Sequence, residues 1–279
     1  MYFHTPRNRT AMVLETPFAA ELATALAAAA EAAAILLSRA GADQVREKGR
    51  ADLVTAVDEA SERAIRRRID RDFPDDLFIA EEFHDEYVEG GRRWIVDPID
   101  GTTNFVHGYP FACVSIGLVD DEGPAVGVVH APFLGEIYHA VRGGGAFLNG
   151  ERLSVSGVET LSASLLATGF PFKPGKGDPA GFMAMVTEMV LTTHGVRRAG
   201  AAALDLAFTA AGRVDGYFEV GLFPWDIAAG ALLVTEAGGQ ITGWPGDTQA
   251  PWITGRVLAS NGRLHRELDA VAWRFVHRI

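Results

Sequence analysis

Acidic side chains stand close together in one short segment of this sequence. Residues 97–104 read DPIDGTTN and follow a short apolar run. We expect a strand to deliver Asp97 at its end, after which Pro98 forces an extended turn. That turn brings Asp97 and Asp100 to one concave side, with the carbonyl oxygen of Ile99 between them. Oxygen ligands crowded in this way suit a hard cation such as Mg²⁺. The alternative is an Asp-rich turn whose side chains cap backbone amides.

The residues after Asp100 add a feature that suits an anion. Gly101 lets the backbone approach a ligand closely, because it has no side chain. The backbone amides of Gly101, Thr102 and Thr103 can then face an anionic group. The segment therefore combines ligands for a cation with hydrogen-bond donors for an anion.

Three further acidic positions fall at predicted strand ends or helix starts. The glutamate pair 81–82 follows a strand, Asp58 lies near the start of the second helix, and Asp226 lies in the first turn of a later helix. Each has an ordinary explanation: a solvated loop, a capping box of Thr55 with Asp58, and favourable placement of Asp226 in the helix dipole. Together with segment 97–104, however, they favour one shared carboxylate site.

Hydrophobic periodicity and turn residues predict the elements that position these segments. The predicted helices are residues 17–40, 54–73, 179–192, 201–211, 225–237 and 263–277. The predicted strands are residues 77–80, 94–96, 111–119, 124–131, 136–142, 146–148, 152–155, 165–168, 216–220 and 257–259. Thr16 is the expected N-cap of the first helix, and Gly41 its expected end. The pattern of the first half therefore predicts two helices packed on an antiparallel sheet, and the pattern of the second half predicts an α/β layer.

We expect the architecture to change near Ser156. Residues 1–15 are interpreted as a flexible N-terminal tail. Residues 16–155 form an α+β half with the antiparallel sheet and most of the metal ligands, and residues 156–279 form an α/β half that completes the metal and substrate site.

Composition and charge exclude several classes of protein. Hydrophobic residues make up 48% of the chain and charged residues 22%, an ordinary globular mixture. The net charge of −11 disfavours direct binding of nucleic acid. The alanine-rich stretch 22–37 contains Glu31 and is too short for a membrane span, and no signal peptide is expected. The single cysteine, Cys113, cannot form an internal disulfide, which fits a cytoplasmic protein.

Three motifs together carry a resemblance to a known family. Segment 97–104, with WDIAAG at 225–230 and EAGG at 236–239, resembles the inositol monophosphatase family, over nearly the whole chain after the N-terminal tail. The stretches GFPFK at 169–173 and AALDLA at 202–207 are similar to its bacterial branch. The resemblance implies a layered αβαβα sandwich of the sugar-phosphatase type and a homodimer. It also implies a lithium-sensitive phosphatase of small phosphorylated alcohols.

The resemblance assigns metal ligands to individual residues. The implied ligands are Glu81, Asp97, the carbonyl of Ile99, Asp100 and Asp226. They would hold two or three Mg²⁺ ions per subunit, with Asp97 shared between the first two and Glu81 serving a weaker third. Such ions would also explain how an acidic protein can accept a phosphate group.

The resemblance further implies a catalytic set and a substrate pocket. Thr102 and Asp58 would orient and deprotonate the attacking water, with Glu81 as a third catalytic residue. The implied substrate-binding residues are Asp100, Gly101, Thr102, Thr103, Gly200, Ala201, Ala202, Glu219 and Asp226. Lys48 would lie on a mobile loop that closes over the site.

Two departures from the family pattern concern the alcohol and leave the metal ligands intact. Ala201 stands where many relatives have threonine or serine, and Phe223 where others have a polar residue. The substrate can therefore be myo-inositol monophosphate or a similar polyol phosphate. The alternatives are a fructose 1,6-bisphosphatase, a histidinol-phosphatase or a nucleotide 3′-phosphatase. A mainly protein-binding regulatory role is a further alternative, since some bacterial relatives touch the transcription machinery.

Overall fold

A computed structural model describes residues 17–39, 41–49, 52–83, 90–170, 178–247 and 249–275. The helices in this part of the chain are α1 (Ala19–Ser38), α2 (Ala56–Asp72), α3 (Thr102–His107), α4 (Pro179–Thr192), α5 (Ala202–Ala210), α6 (Pro224–Glu236), α7 (Pro251–Thr254) and α8 (His265–Trp273). The strands are β1 (Val45–Gly49), β2 (Asp52–Thr55), β3 (Leu77–Ala80), β4 (Arg93–Asp100), β5 (Cys113–Asp120), β6 (Gly123–Ala131), β7 (Glu136–Val141), β8 (Gly145–Leu148), β9 (Glu151–Arg152), β10 (Leu165–Thr168), β11 (Gly195–Arg197), β12 (Gly216–Val220), β13 (Gln240–Thr242) and β14 (Arg256–Ser260).

Two of the three sheets in the described residues form the framework, and the third is the pair β1-β2. The larger has seven strands in the order β3-β4-β5-β6-β7-β8-β9, and every neighbouring pair except β3 and β4 is antiparallel. The smaller has five strands in the order β11-β10-β12-β14-β13. In it, β10 runs parallel to both of its neighbours, whereas β14 runs antiparallel to β12 and β13.

Helices cover the faces of both sheets and complete five layers. The buried faces of α1 and α2 share one apolar core with β4, β5 and β6. Helices α5 and α6 lie between the sheets and share a second core with strands of both. Helices α4 and α8 cover the outer face of the smaller sheet in a third core. The order α-β-α-β-α confirms the predicted sandwich.

Helix α1 shows why an apolar helix belongs to the core here. By length and composition it is the one helix in the described part of the chain that could cross a membrane. Its residues Ala28, Ala32 and Leu36 are fully buried, however, and pack in the core formed with β5 and β6. Alanine leaves little bulk between helix and sheet, so α1 lies close against the strands.

Helix α6 approaches the larger sheet closely at two glycines. A Cβ atom built at Gly127 on β6 would lie 2.7 Å from the backbone oxygen of Ala229, and one at Gly117 on β5 would lie 3.1 Å from the Cβ of Ala228. Both distances are too short for a normal contact between atoms. Glycine at these positions therefore sets the depth of α6 and, with it, the position of Asp226 at the start of the helix.

Several element bounds differ from prediction, and each difference has a local cause. Helix α1 has Phe18 at its N-cap and Arg39 at its C-cap, both with positive φ, so the helix ends before Gly41. Thr16 and the predicted tail lie outside the described residues. Helix α2 begins at Ala56 because residues 52–55 pair with β1 as a strand. The division near Ser156 stays a prediction.

Candidate metal and phosphate site

Three aspartates from two elements meet at one point of the fold. Asp97 and Asp100 lie at the end of β4, and Asp226 lies in the first turn of α6. One carboxylate oxygen from each lies within 4.8 Å of the other two. In a regular strand, residues three apart point to opposite faces. The pairing of β4 with β5 slips between Asp97 and Asp100, and this bulge turns both carboxylates to the same side.

The start of α6 is fixed against the sheet by hydrogen bonds. The Oδ2 atom of Asp226 accepts a hydrogen bond of 2.7 Å from the backbone N–H of Phe223, which caps the helix. The hydroxyl of Ser115 on β5 donates a hydrogen bond of 3.0 Å to the carbonyl oxygen of Trp225. These contacts place Asp226 opposite the end of β4.

Burial and mutual repulsion dominate the electrostatics of the cluster. Burial raises the pKa of Asp97 well above its usual range, and the nearby carboxylates of Glu81, Asp100 and Asp226 raise it further. Burial also raises the pKa of Asp100 to about 7, although a hydrogen bond from the Ala203 amide, 2.7 Å from Oδ2, opposes the rise. Crowded carboxylates of this kind become stable as anions when a cation lies between them.

The donor set fits the expected metal. All three clustered side chains offer carboxylate oxygens, the ligands that Mg²⁺ and similar hard divalent ions prefer. Asp97 and Asp100 are buried, and Asp226 is half-buried at the wall of an open cavity. A metal held here would face that cavity and could still exchange ligands with a substrate.

Glu81 lies beside the three aspartates and depends on a residue that the sequence analysis missed. It lines the same cavity and is the first carboxylate, after burial itself, to raise the pKa of Asp97. The turn after β3 is held by Glu62, whose carboxylate accepts hydrogen bonds from the amides of Glu82 at 2.8 Å and Phe83 at 3.1 Å. Glu62 is fully buried on α2. An acidic residue on the apolar face of a predicted amphipathic helix is the signal that could have revealed it.

Thr102 and Asp58 form the predicted pair next to the cluster. The Thr102 hydroxyl lies 3.1 Å from Oδ1 of Asp58 and 3.0 Å from the carbonyl oxygen of Ile99. Oδ2 of Asp58 accepts hydrogen bonds from the amide and hydroxyl of Thr55, so the capping box is present as well. Burial raises the pKa of Asp58, and the hydrogen bonds from Thr55 and Thr102 oppose the rise. Thr102 lines the cavity, whereas Asp58 lies buried behind it.

One cavity of about 450 Å³ joins most of the predicted site. The predicted residues that line it are Glu81, Asp97, Ile99, Asp100, Gly101, Thr102, Thr103, Gly200, Ala202, Glu219 and Asp226. Gly101 lies there with φ of 88° and starts α3, and a Cβ atom at this position would lie 2.9 Å from the Phe111 oxygen. Glycine is therefore required both by its backbone angle and by the close packing.

One predicted pocket residue, Ala201, and the lysine predicted for a mobile loop, Lys48, lie elsewhere. Ala201 is buried at the N-cap of α5 and is not among the residues that line the cavity. Its Cβ atom instead packs near Gly101. Lys48 falls in strand β1 rather than in a loop, and its side chain lies outside the described residues. The hairpin it belongs to reaches the cavity through Leu53.

Other residues of the cavity escaped the sequence analysis. Phe170 and Arg198 line it together, with the guanidinium 5.4 Å from the centre of the ring. Asn104 anchors the adjoining loop, because its side-chain amide donates to the carbonyl oxygens of Phe111 at 2.7 Å and Ala199 at 2.9 Å. These residues come from distant parts of the chain, so no local pattern marks them as neighbours.

The chain is similar to characterised proteins over most of its length. Residues 19–277 match the family model described as the inositol monophosphatase family. The chain is 45% identical over 231 residues to the inositol-1-monophosphatase of Synechocystis sp., covering 81% of this chain and 79% of that protein. It is 42% identical over 228 residues to the Nus factor SuhB of Escherichia coli, covering 81% of this chain and 85% of that protein.

The fold is similar to solved structures as well. The extragenic suppressor protein suhB from Bartonella henselae superposes with a TM-score of 0.84 at 37% identity, covering 91% of this chain and 98% of that one. The inositol monophosphatase from Anabaena superposes with a TM-score of 0.82 at 38% identity, covering 93% and 97%.

The five-layer fold, the acidic cluster and these relatives together define a metal-dependent phosphatase. The chain belongs to the inositol monophosphatase family.

Proposed function

We propose that the protein is a Mg²⁺-dependent phosphomonoesterase that hydrolyses myo-inositol monophosphate, or a similar small polyol phosphate, to the free alcohol and phosphate. The observation that carries the proposal is the shared cavity. It brings three clustered aspartates, the Thr102 hydroxyl and the Glu219 carboxylate to one open space. A phosphate ester placed there would meet metal ligands, a water-activating pair and a polar group for the alcohol.

The metal ligands in this proposal are Glu81, Asp97, the Ile99 carbonyl, Asp100 and Asp226, for two or three ions. When bound, Mg²⁺ neutralises the phosphoryl oxygens and stabilises the entering and leaving oxygens of the displacement. Asp97 lies deepest in the cluster, with 2% of its surface exposed, and its Oδ1 accepts a hydrogen bond from the Ile99 amide. This bond fixes the carboxylate in place before any ion arrives.

Thr102 and Asp58 are proposed to orient and deprotonate the attacking water. Asp58 is buried and hydrogen-bonded to Thr102, so it acts from behind the cavity wall while Thr102 faces the substrate. The raised pKa of Asp58 makes it a better proton acceptor than an exposed carboxylate. The amides of Gly101, Thr102 and Thr103 are proposed to face the phosphate group.

A phosphate-release screen tests the proposed reaction. The purified protein is assayed with and without Mg²⁺ on myo-inositol 1-phosphate, fructose 1,6-bisphosphate, histidinol phosphate, a nucleoside 3′-phosphate and an aryl phosphate. We expect Mg²⁺-dependent release, with the highest kcat/KM for the inositol ester. A higher kcat/KM for another ester would identify that ester, and not inositol phosphate, as the preferred substrate. No release from any ester with Mg²⁺ would contradict the proposed phosphatase activity.

Glu219 and Asp226 are proposed to serve different parts of the substrate. Glu219 would accept hydrogen bonds from the alcohol in the ground and transition states alike, so its loss should raise KM and leave kcat nearly unchanged. We expect Glu219→Gln to weaken the binding of polyol phosphates by about 1.5–3 kcal/mol, the contribution of a charge-assisted hydrogen bond. An aryl phosphate should be unaffected. Asp226→Asn should instead lower kcat for every substrate and raise the Mg²⁺ concentration for half activity.

A second role as a binding partner is suggested by relatives that carry the name Nus factor. The two roles can be separated with Asp97→Asn, because a scaffold should still bind its partners when catalysis is lost. A tagged Asp97→Asn protein that retrieves the same partners as the wild type would support a separate binding role. Loss of those partners with the loss of metal binding would argue against it. A homodimer, inhibition by lithium and a cytoplasmic location are also proposed from the family.

A further inference from the structure

The Glu219 carboxylate is held by a hydrogen bond from its own strand. Tyr217 and Glu219 lie two residues apart on β12, so their side chains point to the same face of the sheet. The Tyr217 hydroxyl donates a hydrogen bond of 2.5 Å to Oε2 of Glu219. Tyr217 is fully buried, whereas Glu219 is half-buried at the cavity wall. The buried phenol of Tyr217 thus fixes one oxygen of Glu219, whose side chain could otherwise rotate about three bonds.

Tyr217 keeps its proton at neutral pH. Burial raises the pKa of its hydroxyl well above the usual range, and the carboxylates of Glu219 and Asp205 raise it further. Asp205 is itself 3% exposed on α5, and its Oδ2 atom has no hydrogen-bond partner in the described part of the chain. Tyr217 therefore acts as a donor toward Glu219.

A glycine just past the end of the neighbouring strand β10 leaves the space that the carboxylate fills. Strand β10 pairs in parallel with β12, with Thr168 opposite Phe218, so Gly169 follows directly beside Glu219. A Cβ atom built at Gly169 would overlap the carboxylate group of Glu219. Gly169 also lines the cavity. Any larger residue there would push the carboxylate out of its present position.

We propose that Gly169 and Tyr217 are positioning residues that hold the Glu219 carboxylate at the cavity wall and thereby set the preference for phosphate esters of polyols. The proposal deepens the function proposed above and rests on it, because it takes Glu219 as the group that binds the substrate hydroxyls. Gly169 acts by leaving room, and Tyr217 acts by donating a hydrogen bond. Neither residue takes part in the chemistry of the phosphate.

Two substitutions move Glu219 without removing its charge. Gly169→Ala adds one methyl group where the carboxylate lies, and the flexible end of the glutamate can shift to relieve the overlap. Tyr217→Phe keeps the buried ring and deletes the donor. We expect each to raise KM for myo-inositol 1-phosphate about 2- to 12-fold, the effect of one hydrogen bond of 0.5–1.5 kcal/mol. The kcat values, and both constants for an aryl phosphate, should change less than about 2-fold.

A matched control and a double substitution distinguish positioning from general damage. Gly157→Ala adds the same methyl group at a glycine whose added Cβ atom would have nothing within 4 Å. It should leave kcat and KM unchanged for both substrates. In a Glu219→Ala background no carboxylate remains to be positioned, so Gly169→Ala and Tyr217→Phe should have no further effect. Thermal unfolding of each variant shows whether the fold is kept.

The outcomes separate the inference from the function on which it rests. Equal losses on both substrates, or additive losses in the Glu219→Ala background, would show that Gly169 and Tyr217 are structural and would overturn the inference. The same holds if the variants keep the wild-type KM for inositol phosphate. If the wild type releases phosphate from neither substrate with Mg²⁺, the proposed function fails first and the inference fails with it.

Discussion

Replacing Asp58 with asparagine separates two roles of one carboxylate. Its Oδ2 atom accepts hydrogen bonds from the Thr55 amide at 2.7 Å and the Thr55 hydroxyl at 2.6 Å, which caps helix α2. Its Oδ1 atom accepts from the Thr102 hydroxyl at 3.1 Å. Asparagine keeps one acceptor oxygen and replaces the other with an NH₂ group, which cannot take up a proton from water.

The structure allows the cost of each role to be worked out. The asparagine oxygen can keep the contacts with Thr55, and its NH₂ group can donate to Thr102, whose hydroxyl still reaches the Ile99 carbonyl at 3.0 Å. Every buried group keeps a partner, so the free energy of unfolding should fall by only about 1 kcal/mol, as for other cap substitutions. A lost general base lowers the rate by about 10²–10⁴. We therefore expect kcat to fall by that factor, with KM within a small factor of the wild type.

Activity and stability must be measured on the same preparations. Phosphate release with saturating Mg²⁺ gives kcat and KM, and urea unfolding gives the free energy of unfolding. Asp178→Ala is the control, because it removes the N-cap of the outer helix α4, where the carboxylate accepts from the Ala180 amide at 3.0 Å. It should cost about 1 kcal/mol of stability and leave kcat unchanged.

The pH profile gives an independent check. Burial raises the pKa of Asp58, and only its deprotonated form can accept a proton, so wild-type kcat should fall as the pH drops through that raised pKa. The asparagine variant should lack this acidic limb. Turnover at the wild-type rate, with only the loss of about 1 kcal/mol in stability, would refute the assignment and leave Asp58 as a helix cap.

Three further predictions concern the metal, the pH and the packing. Asp97→Asn should abolish turnover and the Mg²⁺-induced rise in Tm while the protein stays folded, as measured by phosphate release and thermal unfolding. Residual turnover of more than a few per cent would contradict the metal assignment. Because the folded, metal-free protein holds a proton on Asp100 up to about pH 7 and the unfolded chain releases it near pH 4, Tm without metal should fall as the pH rises from about 4 to about 7. Mg²⁺ should therefore raise Tm more at pH 8 than at pH 5.5, and an equal rise would count against this linkage. Gly127→Ala should lower the free energy of unfolding by about 1–3 kcal/mol, because its methyl group meets the Ala229 backbone, whereas Gly157→Ala should be neutral (urea unfolding).

The site could be predicted from sequence where the chemistry lies within one short segment. Asp97, Asp100 and Thr102 fall within six residues, and two carboxylates so close together favour a site for a hard cation. The helix and strand pattern, read by periodicity, likewise gave most of the elements and their order. Local contacts and side-chain chemistry decide these features, so the sequence shows them directly.

Other residues could not be assigned a place without the tertiary structure. The strand predicted at 94–96 extends to Asp100 because β5 continues to pair with it beyond a bulge. Helix α3 was missed, since a helix of six residues leaves too little periodicity to detect. Ala201 was expected in the pocket, but the start of α5 buries it.

The sequence by itself determined which groups are available for chemistry, and the tertiary structure decided which of them act together. Asp226 lies more than a hundred residues from Asp97, and only the close packing of α6 on the glycines of β5 and β6 brings the two carboxylates together. Gly169 looks like any loop glycine until the pairing of β10 with β12 places it beside Glu219. Sequence patterns report the neighbours of a residue along the chain. Its neighbours across the layers are set by strand register and packing depth, which depend on the whole fold.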